Sequence, residues 1–251
     1  MKFSPSFSKM LVGALIAFAS PLGYAIPTLQ LGISGGTYNA ATQTIVSTGP
    51  VFSLYAYLSP NSTNPLTDTY FLSMALSPQT SVGANLGSII VNGNTINATS
   101  GMVYGTPPLE SILGPSLADP GDLAGHGVFP TYFAELGFNF SAANTSGLFN
   151  TQDNPSWGPQ SGTGMYYKQF NINTTNLANG YSIHFDLYNT ALCGGKKCDG
   201  TQDIDITQFA PFSHDAESIT STSVPEPGTT LLLGIALLGI GWARRRAIVS
   251  K

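Results

Sequence analysis

Arginine is missing from the whole stretch between residues 26 and 227, and lysine occurs there only as Lys168, Lys196 and Lys197. All 13 acidic residues fall in that same stretch, so the formal net charge of −4 for the full chain hides a far more acidic interior. Affinity for a phosphate backbone comes from clustered Lys and Arg, and nucleic acid is therefore excluded as a partner. Charged residues of either sign are scarce, at 9% of the chain where about 25% is usual. Abundant Asn, Thr, Ser and Gly take their place, a composition common in secreted β proteins held by backbone ladders. Cysteine is nearly absent, with 2 in the chain, which excludes a disulfide-dense scaffold and leaves stability to a packed core. Apolar residues at helical spacing are not sustained anywhere except at the two ends, and no internal repeat of constant period argues for a solenoid or propeller.

Both ends read as addresses. Lys2 and Lys9 precede an apolar stretch from Met10 to Ala19, and Gly23-Tyr24-Ala25 places small residues where a signal peptidase cuts. Residues 1–25 are expected to be a signal peptide cleaved after Ala25. At the other end, Pro225-Glu226-Pro227 precedes an apolar run from Leu231 to Ala243, followed by Arg244, Arg245 and Arg246. The segment from Thr229 to Ala243, as a helix, rises about 22 Å against a hydrocarbon core of about 30 Å, a marginal span. Three arginines directly after it favour the cytoplasmic side, which puts everything upstream outside. Pro225 and Pro227 remove two backbone donors and favour extended structure, leaving an exposed strip on the outer face. This order of parts resembles the PEP-CTERM sorting signal, which an exosortase reads in Gram-negative bacteria that make exopolysaccharide. The resemblance implies transient inner-membrane anchoring, cleavage near Pro-Glu-Pro and loss of the hydrophobic helix at residues 225–251.

Between the addresses the pattern is all β. Roughly 200 residues bury one core, so a single domain over residues 26–217 is expected. Thr28 to Ile33, Val51 to Leu58 and Thr69 to Leu76 are apolar or aromatic runs closed by Gly or Pro. Further runs span Phe129 to Phe140, Met165 to Ile172, Tyr181 to Asn189 and Ile204 to Phe209. Ile89-Ile90-Val91, Asn92-Gly93 and Asn94 to Ala98 predict a hairpin, because Asn-Gly tolerates the positive φ angles of a type I′ turn. Leu109 to Leu117 has room for a short helical turn, and Asn150 to Gly164 is polar loop chemistry on one rim. Short strands punctuated by Gly, Pro and Asn predict a β-sandwich, with Ser218 to Val224 as a Ser/Thr linker to the sorting tail.

A second resemblance rests on Ile26 to Leu31, Gly125 to Phe133, His184-Phe185-Asp186-Leu187-Tyr188 and Ala210 to Ala216. These segments look like the choice-of-anchor N ectodomain, a secreted domain found with alternative surface-anchoring tails. It implies a surface protein and brings no reaction with it.

Candidate chemistry is thin. Gly32-Ile33-Ser34-Gly35-Gly36 fits the Gly-x-Ser-x-Gly pattern, but a nucleophile elbow needs a strand-to-helix turn, and the segment after Ser34 is β-like. A Gly-rich turn is the expected reading. His126, His184 and His214 lie beside aromatic, Gly or Asp residues and are expected to be satisfied structural histidines. His184 and Asp186 share one face of a strand, as a polar contact beside the core or as a pair of metal ligands. Cys193 and Cys198, separated by Gly194-Gly195-Lys196-Lys197 in an exported chain, are expected to form a local disulfide. Asp199, Asp203 and Asp205 follow directly. They are either a calcium-binding loop, since carboxylates on a Gly-bearing turn suit a hard cation, or a solvated acidic turn. Sequons at Asn61, Asn97, Asn139, Asn144 and Asn173 follow from composition and favour surface placement.

The expectation from these residues is a non-enzymatic surface or matrix protein that meets a signal peptidase and an exosortase. A carbohydrate-binding module of the exopolysaccharide matrix competes with it, as does a secreted hydrolase. Trp157 and the tyrosines at 70, 132, 166, 167 and 181 suit sugar stacking or strand cores. Paired carboxylates in an acidic pocket would favour the hydrolase.

Overall fold

The computed structural model describes residues 26–109, 123–192 and 204–221. Among the described residues, fourteen strands form two sheets. In chain order they are β1 (Leu29–Ile33), β2 (Thr37–Asn39), β3 (Thr44–Val46), β4 (Val51–Leu58), β5 (Tyr70–Ser77), β6 (Ser88–Val91) and β7 (Asn94–Asn97). There follow β8 (Val103–Gly105), β9 (Thr131–Phe138), β10 (Thr145–Gly147), β11 (Gly164–Asn173), β12 (Ser182–Leu192), β13 (Ile204–Phe209) and β14 (Asp215–Glu217). One 3₁₀ turn, Phe212–His214, leads into β14. The first sheet runs β1-β4-β11-β6-β7, with β10 on the opening residues of β11. The second runs β2-β3-β14-β12-β5-β9-β8, with β13 on the last residues of β12. All pairings are antiparallel except β3 with β14.

Period-2 alternation explains how the sheets face each other. Leu29, Leu31 and Ile33 on β1, Leu54 and Leu58 on β4, and Phe170 and Ile172 on β11 point into one core. They meet Leu72, Met74 and Leu76 on β5 and Ile183, Phe185 and Leu187 on β12. Edge-to-face ring pairs close the gap between sheets, Phe52 on Phe185 at 6.1 Å and Phe138 on Phe170 at 5.1 Å. Burying these side chains is the main driving force of the fold, since each contributes about 1.5–3 kcal/mol relative to exposure. The molecule is the all-β sandwich that the short, Gly-, Pro- and Asn-punctuated strands predict.

The long runs read from sequence coincide with strands to within two residues at most ends, and Val51–Leu58 and Ile204–Phe209 match outright. The Asn-Gly hairpin is present, with Val91 opposite Asn94 and with φ of 50° at Asn92 and 85° at Gly93. Strands β2, β3, β8, β10 and β14 went unread because three residues carry no period. Ser218 and Ser221, assigned to the linker, instead stay bonded to the sandwich. The Ser218 amide donates to Ile183 O at 2.8 Å, and the Ser221 amide to Tyr181 O at 2.8 Å. The signal peptide, nearly all of the Leu109 to Leu117 turn and the sorting tail lie outside the described residues. No helix among the described residues is long and apolar enough to cross a membrane.

Both sheets carry a second layer on their outer faces. On the first, Gln30 points away from the core yet is fully buried, because residues 149–151 cross over it. Its amide donates to Phe149 O at 2.9 Å, and the Thr151 amide donates to Gln30 Oε1 at 3.0 Å.

Backbone approach is tightest at Gly87, where φ is +91° and a bridge to Leu177 brings the Asn176 carbonyl onto the position a Cβ would take. Gly87→Ala combines that collision with the cost of a left-handed L residue, and a loss of roughly 2–4 kcal/mol is expected. Urea unfolding of the two proteins measures it, and a change below 0.5 kcal/mol, about that of an ordinary surface substitution, would contradict the close approach.

Candidate functional site

Alternation on β12 sends Ile183, Phe185 and Leu187 inward and His184, Asp186 and Tyr188 to the outer face of the second sheet. On an open sheet those polar side chains would meet water. Here residues 123–130 cross that face. Leu123 and Phe129 pack with Ala75, Phe133 and Tyr188 in a second apolar cluster, and Val128 and Phe209 lean against it. The crossing segment delivers His126, whose ring stacks on Phe212 at 4.4 Å and 18° and meets Phe129 edge-on at 5.8 Å. β14 pairs with β12 so that Ala216 faces Phe185 and Glu217 faces His184, which sends Asp215 outward beside Asp186.

Four side chains from three segments thus converge. His126 Nε2 lies 2.9 Å from His184 Nε2 and 3.3 Å from Asp186 Oδ1. His184 Nε2 lies 3.4 Å from Asp186 Oδ1 and 3.8 Å from Asp215 Oδ2. One donor atom from each residue fits within 4.8 Å of all the others. Relative exposure is 3% for His184, 2% for Asp186 and 1% for Asp215, so the cluster is sealed on the sheet side. None of the four carboxylate oxygens accepts a hydrogen bond of good geometry, although Asp186 Oδ1 and Asp215 Oδ2 lie at ion-pair distance from the imidazoles. On the far side of the His126 ring, Nδ1 is 3.1 Å from Ala124 O. An N–H donated there assigns the tautomer and leaves the Nε2 lone pair aimed at the cluster.

The electrostatics are those of charges confined together. Burial works to lower His184, but the Asp186 and Asp215 carboxylates outweigh it and carry the imidazole up to about 10. Burial opposes the charge on His126 too, and Asp186 again wins, so this ring is raised. Burial raises Asp186, and the two imidazoles overcome it and hold the carboxyl below its usual value. Asp215 is dominated by burial, with Asp186 adding repulsion, and is pushed up to about 7. Such a cluster is able either to share protons or to hold a cation. Among the described residues it is the group of His, Cys, Asp and Glu placed to bind one. A cavity of about 420 Å³ opens beside it, lined by Thr42, Gln43, Thr44, Phe212 and Glu217.

Sequence reasoning had half of this arrangement. The shared face of His184 and Asp186 is visible from their spacing, and the structure brings them together as expected. His126 and Asp215 were missed as partners because they arrive from 58 residues before His184 and from a three-residue strand after it. His126 and His184 have hydrogen-bond partners, as expected of structural histidines, and in addition face two buried carboxylates. His214 is a satisfied structural histidine. Its Nε2 meets Asn150 Oδ1 at 3.0 Å and its Nδ1 meets Ser213 Oγ at 2.9 Å. Burial takes it down to about 4 despite the Asp153 charge.

Other expected sites fall elsewhere. Ser34 sits in a turn with Gly35 between β1 and β2, closed by the Gly36 amide on Ile33 O at 2.9 Å, so strand leads to strand and no elbow forms. Asp205 is exposed on β13 opposite Ala191, whereas Asp199, Asp203, Cys193 and Cys198 lie outside the described residues. Tyr70 is buried in the core, Tyr132, Tyr166, Tyr167 and Tyr181 are half-buried, and Trp157 is 44% exposed.

The PEP-CTERM protein-sorting motif matches residues 223–246, which include Pro225, Glu226, Pro227 and the three arginines. No curated protein and no solved structure matches the chain. The motif covers the tail and not the sandwich. What it carries is an address: the chain is an exosortase substrate, exported along a cell-surface sorting route.

Proposed function

We propose that this chain is a non-enzymatic structural or interaction protein of the cell surface or extracellular matrix, released from a transient inner-membrane anchor. The sorting motif at residues 223–246 is the observation that carries the reading. The titratable cluster is closed by protein on the sheet side. The likeness to the choice-of-anchor N ectodomain belongs to the same proposal, and the segments that carry it contain His126, His184, Asp186 and Asp215.

A carbohydrate-binding role is the second reading, favoured by aromatic residues on the outer face of the first sheet. Tyr55 stacks beside Tyr57 at 6.1 Å and meets Tyr167 at 6.0 Å, while Trp157 extends the group through Phe149 at 5.7 Å. Tyr57 and Phe149 are buried beneath the group, and Trp157, 44% exposed, is the ring most open to sugar stacking. The test is to mix the protein with the producer's own exopolysaccharide and measure both co-sedimentation and release of reducing ends. Binding without release is the expected outcome, and release of reducing ends would overturn the non-enzymatic reading. If the aromatic face is the contact, Trp157→Ala lowers the bound fraction at least about fivefold, as loss of a hot-spot ring does.

A further inference from the structure

We propose that His126, His184, Asp186 and Asp215 form a structural site for one divalent transition-metal ion of the zinc class, which fastens residues 123–130 to β12 and β14. The geometry carries the argument. Four donors at zinc-like bond lengths sit at the corners of a tetrahedron whose edge is about 3.3 Å. Four of the six donor separations, at 2.9, 3.3, 3.4 and 3.8 Å, bracket that edge, and every donor lies within 4.8 Å of the rest.

The buried carboxylates decide between a cation and a proton-sharing network. A single N–H between the two Nε2 atoms satisfies their contact and leaves Asp186 and Asp215, buried, with ion-pair contacts of 3.3, 3.4 and 3.8 Å but no well-formed hydrogen bond to any of their four oxygens. Natural proteins very rarely leave so many buried polar atoms without a hydrogen bond in one place. A cation at the centre meets a lone pair from each residue at once. The tautomer agrees, because the Ala124 carbonyl behind His126 Nδ1 is the outer partner that orients a ligating imidazole and strengthens it as a base.

Donor type selects the ion. Two imidazoles disfavour calcium and magnesium, which take oxygen, and the lack of a thiolate disfavours copper(I). Four protein ligands fill a tetrahedral shell, the arrangement of a structural centre and not of a catalytic one with an open position. The cavity beside Thr44 and Glu217 gives the ion its way in. The role follows from where the ligands come from. His126 is on the covering segment, and the other three are on the sheet, so the ion ties a layer that otherwise rests on the Leu123 and Phe129 contacts. None of the site's four residues belongs to the acidic segment with Asp199, Asp203 and Asp205.

The test uses the full-length chain, stripped with chelator and then titrated with Zn²⁺, Co²⁺ or Ca²⁺ alone. One Zn²⁺ per chain is expected by elemental analysis, with a melting midpoint raised by several degrees. The Co²⁺ form is expected to show the intense visible bands of four-coordinate cobalt. His126→Ala, at the half-buried ligand, and Asp186→Asn, which preserves size, are each expected to weaken Zn²⁺ at least about tenfold and to lose the cobalt bands. Asp186→Asn also removes a buried charge, so an unchanged melt of its metal-free form together with lost binding counts for the site. The proposal is overturned if the wild type takes up neither Zn²⁺ nor Co²⁺. It is equally overturned if both variants bind as tightly as the wild type, or if Ca²⁺ alone shifts the midpoint and still does so in His126→Ala.

Discussion

Replacing Pro225, Glu226 and Pro227 together with alanine is expected to leave export intact and to stop processing, so that the chain accumulates with its tail through Lys251. Export is expected to depend on the apolar segment near Lys2 and Lys9, at the opposite end, which the substitution does not touch. The tail keeps its apolar run and its three arginines, so it still enters the membrane and still holds its basic end inside. What changes is the strip just outside. Each proline fixes φ and removes an N–H, which disfavours a helix running through that strip. Alanines lift that restriction, and the tripeptide of the sorting motif is gone. The expected result is all-or-none: a membrane-held species heavier by the tail, in place of the released form. Mass spectrometry of the wild-type surface protein decides the premise, because an intact C-terminus at Lys251 would show that no cleavage takes place.

Phe185→Ala is expected to be the most damaging single substitution in the sandwich. The side chain is fully buried, opposes Met74 across the β5–β12 ladder and touches Phe52 of the other sheet edge-on. Removing it loses the transfer energy of the ring and leaves a cavity between two sheets that are each held by their own ladders and cannot collapse freely. Substitutions of this kind cost about 3–5 kcal/mol. For a chain of this size that lowers the melting midpoint by about 6–20 °C. Val51→Ala, at a position 66% exposed on β4, is the control and is expected to change stability by less than about 0.5 kcal/mol. Equal midpoints for the two variants would mean that Phe185 is not where the sheets meet. Phe185 is also flanked by His184 and Asp186, so Phe185→Ala loosens the same turn of strand that presents the cluster.

The address and the secondary structure were properties of the sequence. A sorting signal is read as a linear order of proline, apolar run and arginine, and it needs no fold to be legible. Val51 to Leu58 and Met165 to Ile172 announce strands because eight or more residues give alternation enough repeats to be seen. Asn92-Gly93 announces its turn because the required φ values exclude almost every other pair.

The partners of His184 were decided by tertiary structure alone. Spacing told that His184 and Asp186 share a face, and nothing local told which face, or that it would be covered. Coverage came from residues 123–130, whose Gly-rich sequence reads as loop and whose position depends on Leu123 and Phe129 finding Ala75 and Tyr188. Asp215 came from a strand of three residues that exists because β12 has a free edge beside Phe185 and β3 lies parallel on its other side. Gln30 makes the same point, since a glutamine on a strand face reads as solvent-exposed until Phe149 and Thr151 close over it. Local patterns are set by a residue and its near neighbours in the chain. A buried cluster of charge is set by which distant segments the two outer faces recruit, and that choice is made only when the sheets have formed and the segments crossing them exclude water.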